Sequence, residues 1–219
     1  MSSQILYRGA EAIVSLENNL IKKQRIKKSY RISQIDEKLR KLRTRSEAKI
    51  IEKLKDIVNV PKIISVDENE KNRKFFASFK TGNFEDEIIM ENIDGKRLSE
   101  HLDEFPLKKQ KQIIKQLGKD VSKMHEADII HGDLTTSNMI LKDDKIYFID
   151  FGLGFQNGKY EDKAVDLHLL KQALEARHFK NWKILFNEFE KSYISINKTE
   201  SKKVLERLKA VEKRGRYRH

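Results

Sequence analysis

The residues best suited to chemistry lie in two short segments near the middle of the chain. Asp133 and Asn138 are five positions apart, and Asp150 stands directly before Phe-Gly. Enzymes that transfer phosphoryl groups use an Asp to receive the proton of the attacking hydroxyl group. They use an Asn and a second Asp to hold the metal ion that bridges the ATP phosphates. The spacing therefore predicts phosphoryl transfer, with Asp133 as the catalytic carboxylate and Asn138 and Asp150 as metal ligands.

The twelve residues after Asn138 predict how these side chains meet. Residues 139–142 and 146–149 are apolar runs typical of short strands, and residues 143–145, Asp-Asp-Lys, indicate a turn. A hairpin returns the chain to its starting edge. We therefore expect Asn138 and Asp150 to lie side by side, as two ligands of one metal must.

Phosphoryl transfer of the kinase type also needs a lysine on the phosphates and a glutamate that holds this lysine. Lys22 or Lys23, on a predicted strand, could be the lysine. Glu47, on a helix predicted over residues 33–57, could be its partner. The alternative for Glu47 is a surface ion pair with Arg43 on the same helix.

The loop that would cover the phosphates is the weakest match to this chemistry. Kinases place several glycines there, whereas this chain has Gly9 followed by Ala10, Glu11 and Ala12 in a predicted hairpin. Small side chains still allow the backbone to approach a phosphate closely. A plain hairpin turn is the alternative interpretation.

Three histidines and one aspartate near these segments are assigned supporting roles. We expect His131 to orient the catalytic loop rather than to act as a base. Asp166 is expected to brace that loop by accepting backbone N–H bonds, with a charge at the start of its helix as the alternative role. His125 and His168 lie on predicted helices and are interpreted as packing or surface residues.

The remaining pattern predicts a sheet-rich N-lobe with one long helix, followed by a helical C-lobe. Strands are expected at residues 4–7, 12–14, 20–23, 61–66, 75–79 and 88–90, and helices at 33–57, 107–126, 162–178, 181–194 and 199–212. We expect one bilobal, kinase-like α+β domain over residues 1–219. Its N-lobe would span about 1–91, its C-lobe about 96–212 and a basic tail 213–219. The chemistry would lie at the junction of the lobes.

Composition excludes several classes of protein. The chain has 219 residues, no cysteine and two prolines. Disulfides, thiol chemistry and cysteine-ligated zinc are therefore excluded, and no low-complexity linker is expected. No apolar run of about eighteen residues and no apolar signal segment occurs, which predicts a cytoplasmic protein with no membrane partner.

The net charge of +12 is concentrated at the two ends of the chain. Residues 1–60 carry 15 Lys and Arg against 7 Asp and Glu, and residues 201–219 carry 8 against 2. Basic residues clustered in this way favour a polyanionic partner, most plausibly a nucleic acid.

Taken together, these motifs resemble those of the small atypical protein kinase/ATPase of the KEOPS (EKC) complex, a RIO-like kinase, in its archaeal stand-alone form. The matching segments are residues 9–12, 21–25, 30–31, 43–48, 131–138, 150–153, 161–167 and 214–218. They cover nearly the whole chain in the family's order. The run Gly-Asp-Leu-Thr-Thr-Ser-Asn and the basic Arg-Gly-Arg tail are specific to this family among kinase-like folds.

The resemblance implies an autophosphorylating serine/threonine kinase that works mainly as an ATPase, using ATP with magnesium or manganese. It implies a role in the threonylcarbamoyladenosine modification of tRNA. The implied partners are tRNA, the threonylcarbamoyl-transferase subunit of the complex and a small regulatory subunit on the N-lobe.

The resemblance also assigns individual residues. It favours Lys23 over Lys22, because Lys23 stands two residues before an Arg, as the family's phosphate-contacting lysine does. Glu47 is then its partner. Glu91, which opens the segment between the lobes, is expected to contact the nucleotide. The tail residues implied to contact tRNA are Arg214, Arg216 and Arg218.

The segment after Asp150 indicates an atypical kinase independently of the resemblance. Residues 152–165 contain no Ser or Thr, and no Ala-Pro-Glu sequence follows. Little room remains to dock a peptide substrate, so self-phosphorylation or ATP hydrolysis is favoured. Two alternatives stay open. One is a small-molecule phosphotransferase of the aminoglycoside or choline kinase type, and the other is an RNA-binding scaffold with a nucleotide-sensing site.

Overall fold

The computed structural model describes residues 4–64 and 87–215, which pack as two units. The N-terminal unit comprises residues 4–52, 61–64 and 87–92, and the C-terminal unit comprises residues 53–60 and 93–215. The strand expected at residues 75–79 lies outside the described residues, as do Arg216 and Arg218.

A four-stranded antiparallel sheet, with its strands in chain order, forms the N-terminal unit. Its elements are β1 (Gln4–Arg8), β2 (Ala12–Glu17), β3 (Leu20–Arg25), helix α1 (Ser33–Leu54) and β4 (Glu87–Glu91). The β2–β3 hairpin closes through Asn18 and Asn19, whose φ angles are 49° and 62°. Asparagine tolerates this left-handed backbone better than most residues, so the turn fixes the register of the two strands.

The core of this unit lies between the sheet and α1. Its buried residues are Ala48, Ile88 and Met90, with Ile21 and Ile63 packed against them. Helix α1 ends three residues before the expected position 57. The strand expected at 61–66 is, in its described part, a single bridge between Ile63 and Met90. Pro61 opens this segment and cannot donate a ladder hydrogen bond, which shortens any pairing.

Helices dominate the C-terminal unit. Its elements are β5 (Lys96–Arg97), α2 (Leu98–His101), a 3-10 turn (Leu102–Glu104), α3 (Leu107–Glu126), β6 (Ile129–Ile130), a 3-10 turn (Thr136–Asn138), β7 (Met139–Lys142), β8 (Lys145–Phe148), β9 (Phe155–Gln156), α4 (Tyr160–Arg177), α5 (Trp182–Ile194) and α6 (Lys198–Gly215). Helix α3 has the expected bounds, and α4 begins two residues before the expected position. The strands β5, β6 and β9 were not expected, because two residues carry no readable periodicity.

Helix α3 is the central helix of this unit. Its buried side chains recur at helical spacing and include Ile113, Ile114, Leu117, Val121 and Met124. It packs closely along α5 at Gly118, where an added Cβ would lie 2.0 Å from Ser192 Oγ. Any larger residue at Gly118 would push the two helices apart. Among the helices of the described ranges, none combines the length and hydrophobicity needed to cross a bilayer.

Candidate active site

The β7–β8 hairpin brings the backbones of Asn138 and Asp150 to the same end. Its two-residue turn is Asp143-Asp144, with φ angles of 49° and 59°. Lys145 therefore belongs to β8, not to the turn as expected. The N–H of Ile149 donates to the carbonyl of Asn138 over 3.0 Å. The two candidate metal ligands thus flank adjacent backbone segments.

Asn138 also holds the catalytic loop together. Its Nδ2 donates to the carbonyl of Asp133 over 2.9 Å and to Asp133 Oδ2 over 2.8 Å. Both partners are oxygen acceptors, so they fix the orientation of the amide. Asn138 Oδ1 is therefore the atom suited to a metal, and Asp133 Oδ1 the atom suited to an incoming hydroxyl group.

Asp166, at the second turn of α4, is bonded to the backbone that precedes Asp133. Its Oδ2 accepts the N–H of His131 over 2.7 Å, and its Oδ1 accepts the N–H of Gly132 over 2.9 Å. The carboxylate is buried, and hydrogen bonds to a charged acceptor are stronger than neutral ones. Each carboxylate oxygen thus fixes one peptide group of the loop.

Gly132 is required at its position by backbone conformation and by space. Its φ angle is +79°, in the region that favours glycine. An added Cβ would also lie 2.3 Å from the carbonyl oxygen of Leu153. A side chain would therefore displace the loop that follows Asp150 from the loop that carries Asp133.

His131 is buried and neutral, and it connects the two loops. Burial lowers the pKa of its imidazole, an effect that the charge of Asp166 partly offsets. Its Nε2 lies 3.2 Å from the carbonyl of Ile149, and its Nδ1 lies 3.4 Å from the N–H of Asp133. These partners place the proton on Nε2. The ring centroid also lies 4.6 Å from that of Phe151, the residue directly after Asp150, with the two ring planes tilted by 37°.

A second layer of buried polar groups lies behind Asp166. His125 Nδ1 is 2.9 Å from the hydroxyl of Tyr193, and His125 Nε2 is 3.4 Å from Asp166 Oδ2. Burial raises the pKa of the Tyr193 phenol, so this group is protonated and donates to His125. His125 is buried, as a packing residue would be, but it also contacts Asp166. No local pattern predicts this contact, because 41 residues separate His125 from Asp166.

Another histidine that the sequence analysis did not consider reaches the catalytic loop. His178, buried at the end of α4, places Nε2 3.3 Å from the hydroxyl of Thr136. Its Nδ1 lies 3.2 Å from the carboxylate of Asp103. Thr136 belongs to the 3-10 turn that leads to Asn138, so His178 contacts the loop between the two proposed functional residues.

The N-terminal unit contains its own buried charged cluster. Lys23 Nζ and Arg25 Nη2 each lie 2.6 Å from a different oxygen of Glu47, whose exposed fraction is 1%. Lys22 instead pairs with Glu87 at 3.0 Å. Successive residues of a strand point to opposite faces of the sheet. Lys23 and Arg25 therefore face α1, whereas Lys22 does not. The contribution of Arg25 is not predicted by the sequence pattern.

The hairpin of residues 8–12 is closed by one backbone bond, from Gly9 N–H to the carbonyl of Ala12 over 3.0 Å. Lys28 Nζ donates to the carbonyl of Ala10. Glu11 pairs with Arg43 at 2.7 Å. The alternative pairing of Arg43 with Glu47 is thus replaced, because the two oxygens of Glu47 already face other cations.

Glu91 and the basic tail have less distinctive surroundings. Glu91 ends β4, and its Oε2 accepts the backbone N–H of Lys62 over 3.3 Å. Arg214 forms an ion pair with Glu161 at the start of α4, and Arg207 lies 2.5 Å from the same carboxylate. Arg214 is therefore paired with an acidic side chain of its own unit.

The oxygen donors at the end of the hairpin fit a hard divalent cation. Asn138 Oδ1 and the carboxylate of Asp150 are the ligand types that magnesium and manganese prefer. Within the described ranges, no group of three or more His, Cys, Asp and Glu is arranged to hold a metal ion. A metal at this end would therefore draw its remaining ligands from phosphate oxygens and water, as in kinases.

Comparisons with known proteins indicate that this chain is related to kinases. The lipopolysaccharide kinase (Kdo/WaaP) family profile matches residues 11–209. The solved structure of WaaP in complex with acyl carrier protein aligns with a TM-score of 0.60 and 15% identity, covering 97% of this chain and 89% of that one. This likeness confirms the kinase-like α+β fold expected from the sequence.

Curated relatives are more similar in sequence. The KEOPS complex subunit Bud32 of Pyrococcus abyssi is 41% identical, over 98% of this chain and 96% of the relative. A probable serine/threonine-protein kinase BUD32 homolog of Archaeoglobus fulgidus is 37% identical, over 97% and 95%. A probable bifunctional tRNA threonylcarbamoyladenosine biosynthesis protein of Methanobrevibacter smithii is 36% identical over 100% of this chain, which spans 38% of that longer protein.

Proposed function

Because the chain belongs to the lipopolysaccharide kinase (Kdo/WaaP) family and to the same family as the KEOPS subunit Bud32, we propose that it is the kinase and ATPase subunit of a KEOPS complex. In this role it acts in the biosynthesis of threonylcarbamoyladenosine on tRNA. The family inferred from the motifs is confirmed by these relatives, and the chain is a kinase-type enzyme that uses ATP and a divalent metal.

The observation that carries the catalytic part of the proposal is the bond between Asn138 and Asp133. This bond engages Asp133 Oδ2 and Asn138 Nδ2, so Asp133 Oδ1 would receive the nucleophile and Asn138 Oδ1 would bind a metal ion. Asp133 accepts the proton of a serine or threonine hydroxyl group, or orients a water molecule. The nucleophile oxygen forms a bond to the γ-phosphorus of ATP as the bond from that phosphorus to the β–γ bridging oxygen breaks, and ADP leaves.

Positioning and charge neutralisation supply most of the acceleration in such a reaction. Asn138 Oδ1 and the Asp150 carboxylate would hold magnesium or manganese, which neutralises charge on the phosphates when bound. Lys23 contacts the phosphates, and Glu47 holds it in place. Gly9, Ala10, Glu11 and Ala12 cover the nucleotide, and Glu91 contacts it. His131 and Asp166 keep the catalytic loop in one conformation.

The partners follow from the same family. We assign tRNA, a threonylcarbamoyl-transferase subunit and a small regulatory subunit on the N-terminal unit, with Arg214, Arg216 and Arg218 on tRNA. In the bifunctional relatives the matching region is part of a longer biosynthetic protein. Such a fusion supports a stable association between this chain and a second enzyme of the same process.

The test is ATP hydrolysis with magnesium, with and without the transferase subunit and tRNA. Asp133→Asn and Asp150→Asn should each lower turnover by at least about 100-fold. Asp143→Asn is the matched control, because it makes the same chemical change at an exposed turn. Asparagine tolerates the positive φ angles at positions 143 and 150. Full turnover by Asp150→Asn would refute the metal assignment.

The assay also separates the proposal from its rivals. Turnover that depends on Asp133 and rises with the transferase subunit and tRNA supports the KEOPS role. Stimulation by an aminoglycoside or an amino alcohol instead would favour a small-molecule phosphotransferase. No turnover in any mixture, with tRNA binding intact, would favour an RNA-binding scaffold.

A further inference from the structure

Helix α3 carries a stripe of lysines on its outer surface, here called the lysine stripe. Its members are Lys108, Lys111, Lys115, Lys119 and Lys123. They recur at intervals of three and four residues, so they lie along one side of the helix. Lys108, Lys115 and Lys123 are exposed, and the other two are half-buried along their aliphatic stems.

The stripe has little compensating negative charge. Within the described residues, Lys108, Lys111, Lys115 and Lys119 have no carboxylate oxygen within 4.0 Å, and Lys123 reaches Asp120 only at that limit. Like charges four residues apart destabilise a helix. The stripe contains three such pairs in succession, so it weakens α3 with no gain inside the chain.

Several basic residues on other helices do have acidic partners. In α1, Arg40 pairs with Asp36 and Lys41 with Glu37, both at the favourable four-residue spacing. Lys171 on α4 pairs with Glu212 on α6. On α3 itself, Lys109 lies outside the stripe and pairs with Asp144. The stripe therefore differs from these paired residues in having five successive lysines with almost no acidic partner.

The segment that joins α4 to α5 extends this basic surface. Residues 177–183 read Arg-His-Phe-Lys-Asn-Trp-Lys, from the last residue of α4 to the second residue of α5. His178 is buried, so the surface charge of the segment comes from Arg177, Lys180 and Lys183. Asn181 Nδ2 donates to Gln110 Oε1 over 3.2 Å, which places the segment beside the first turn of the stripe. Phe179 is 68% exposed, although its ring is apolar. Exposed aromatic rings among basic residues are typical of surfaces on which bases stack.

We propose that the lysine stripe and the 177–183 segment form an RNA-binding surface that contacts the phosphate backbone. Lysines four residues apart are separated by about 6 Å along a helix, and the whole stripe spans about 22 Å. The 6 Å step is close to the separation of successive phosphates along a strand, so several lysines can neutralise one strand together. The choice of tRNA as the RNA rests on the proposed function.

The test measures binding of the full chain to a labelled, unmodified tRNA transcript by fluorescence anisotropy, between about 50 and 200 mM salt. The triple variant Lys111→Gln/Lys115→Gln/Lys119→Gln should weaken binding on the order of 10- to 100-fold. It should also reduce the slope of log K against log salt by about 2 to 3. Replacement of the same three lysines by arginine should retain binding, because the charges stay.

A matched control removes three charges elsewhere. Lys38→Gln/Lys41→Gln/Lys49→Gln changes the net charge equally on α1 and should weaken binding by less than about threefold. Thermal melting of the α3 variant should match or exceed that of the native chain, because repulsion along α3 is relieved. This result would show that the weaker binding comes from removal of the lysine charges and not from unfolding of the chain.

Three outcomes would overturn the proposal. The first is native affinity of the α3 variant for tRNA, and the second is equal weakening of tRNA binding by the α1 control. The third is an α3 variant that no longer binds anionic phosphatidylglycerol vesicles but still binds tRNA as the native chain does. The last outcome would identify a membrane surface. The proposed function is tested by ATP turnover, whereas this proposal is tested by RNA affinity. A chain without ATP turnover would therefore fail the first test and leave the second unchanged.

Discussion

Replacing Asp166 by Asn tests whether one buried carboxylate fixes the catalytic loop. Its two oxygens accept the N–H groups of His131 and Gly132 at 2.7 and 2.9 Å. An amide of the same shape offers one oxygen and one NH2 group. One of the two backbone N–H groups must therefore face the NH2 group of the amide, and the other donates to a neutral oxygen in place of a charged one.

The magnitude follows from these two contacts. A hydrogen bond to a charged group contributes about 1.5–3 kcal/mol, and leaving a buried donor unsatisfied costs about 1–3 kcal/mol. The two effects overlap, so we expect Asp166→Asn to lower the free energy of unfolding by about 3 kcal/mol. For a chain of this length, 1 kcal/mol corresponds to about 2–4 °C, which gives a fall in Tm of about 6–12 °C.

The assay combines thermal melting with ATP turnover, and Asp133→Asn is the comparison. Asp133 is half-buried and its side chain accepts one hydrogen bond from Asn138, so its replacement should change Tm by less than about 3 °C while removing activity. Asp166→Asn should lose both stability and turnover. Native melting of Asp166→Asn would refute the reasoning, because the brace would then contribute nothing to the loop.

Three further changes probe the other buried charged and polar groups. Glu47→Ala should lower the free energy of unfolding by about 3–5 kcal/mol, because Lys23 and Arg25 would remain buried without their anion. An unchanged midpoint of denaturant unfolding would contradict this. Burial raises the pKa of Asp120, so its charged form opposes folding. Native stability should rise as pH falls through this raised pKa towards about 3.9, and Asp120→Asn should be more stable at pH 7 and lack this rise. Flat pH profiles for both proteins would be inconsistent with that assignment. His178→Leu removes the contact with Thr136, so it should lower kcat several-fold with little change in the KM for ATP. A change in KM without a change in kcat would argue against a positioning role for His178.

The local parts of the site were predictable because their residues are close in the chain. Asp133 and Asn138 belong to one loop, and the hairpin signals of residues 139–149 brought Asp150 back to it. Periodicity located α3 at its observed ends, because its buried side chains recur regularly over five turns.

Choices between neighbouring residues needed more than the pattern. The strand pattern alone could not select Lys23 over Lys22, since both have the same side chain and lie next to each other. The packing of β3 against α1 decides which face of the strand meets Glu47, 24 residues further along the chain. The same packing buries Arg25 on the second oxygen of that carboxylate.

The sequence by itself thus determined the chemistry, the family, the long helices and the strands of the main hairpins, because these depend on residue types at short, fixed spacings. Tertiary structure alone decided which distant polar groups meet. The chain from Tyr193 through His125 to Asp166, and the contact of His178 with Thr136, join residues 41 to 68 positions apart. Such contacts form only where helices pack closely enough to exclude water, so that each buried donor must find an acceptor. No local pattern of residues predicts which distant donor and acceptor will meet.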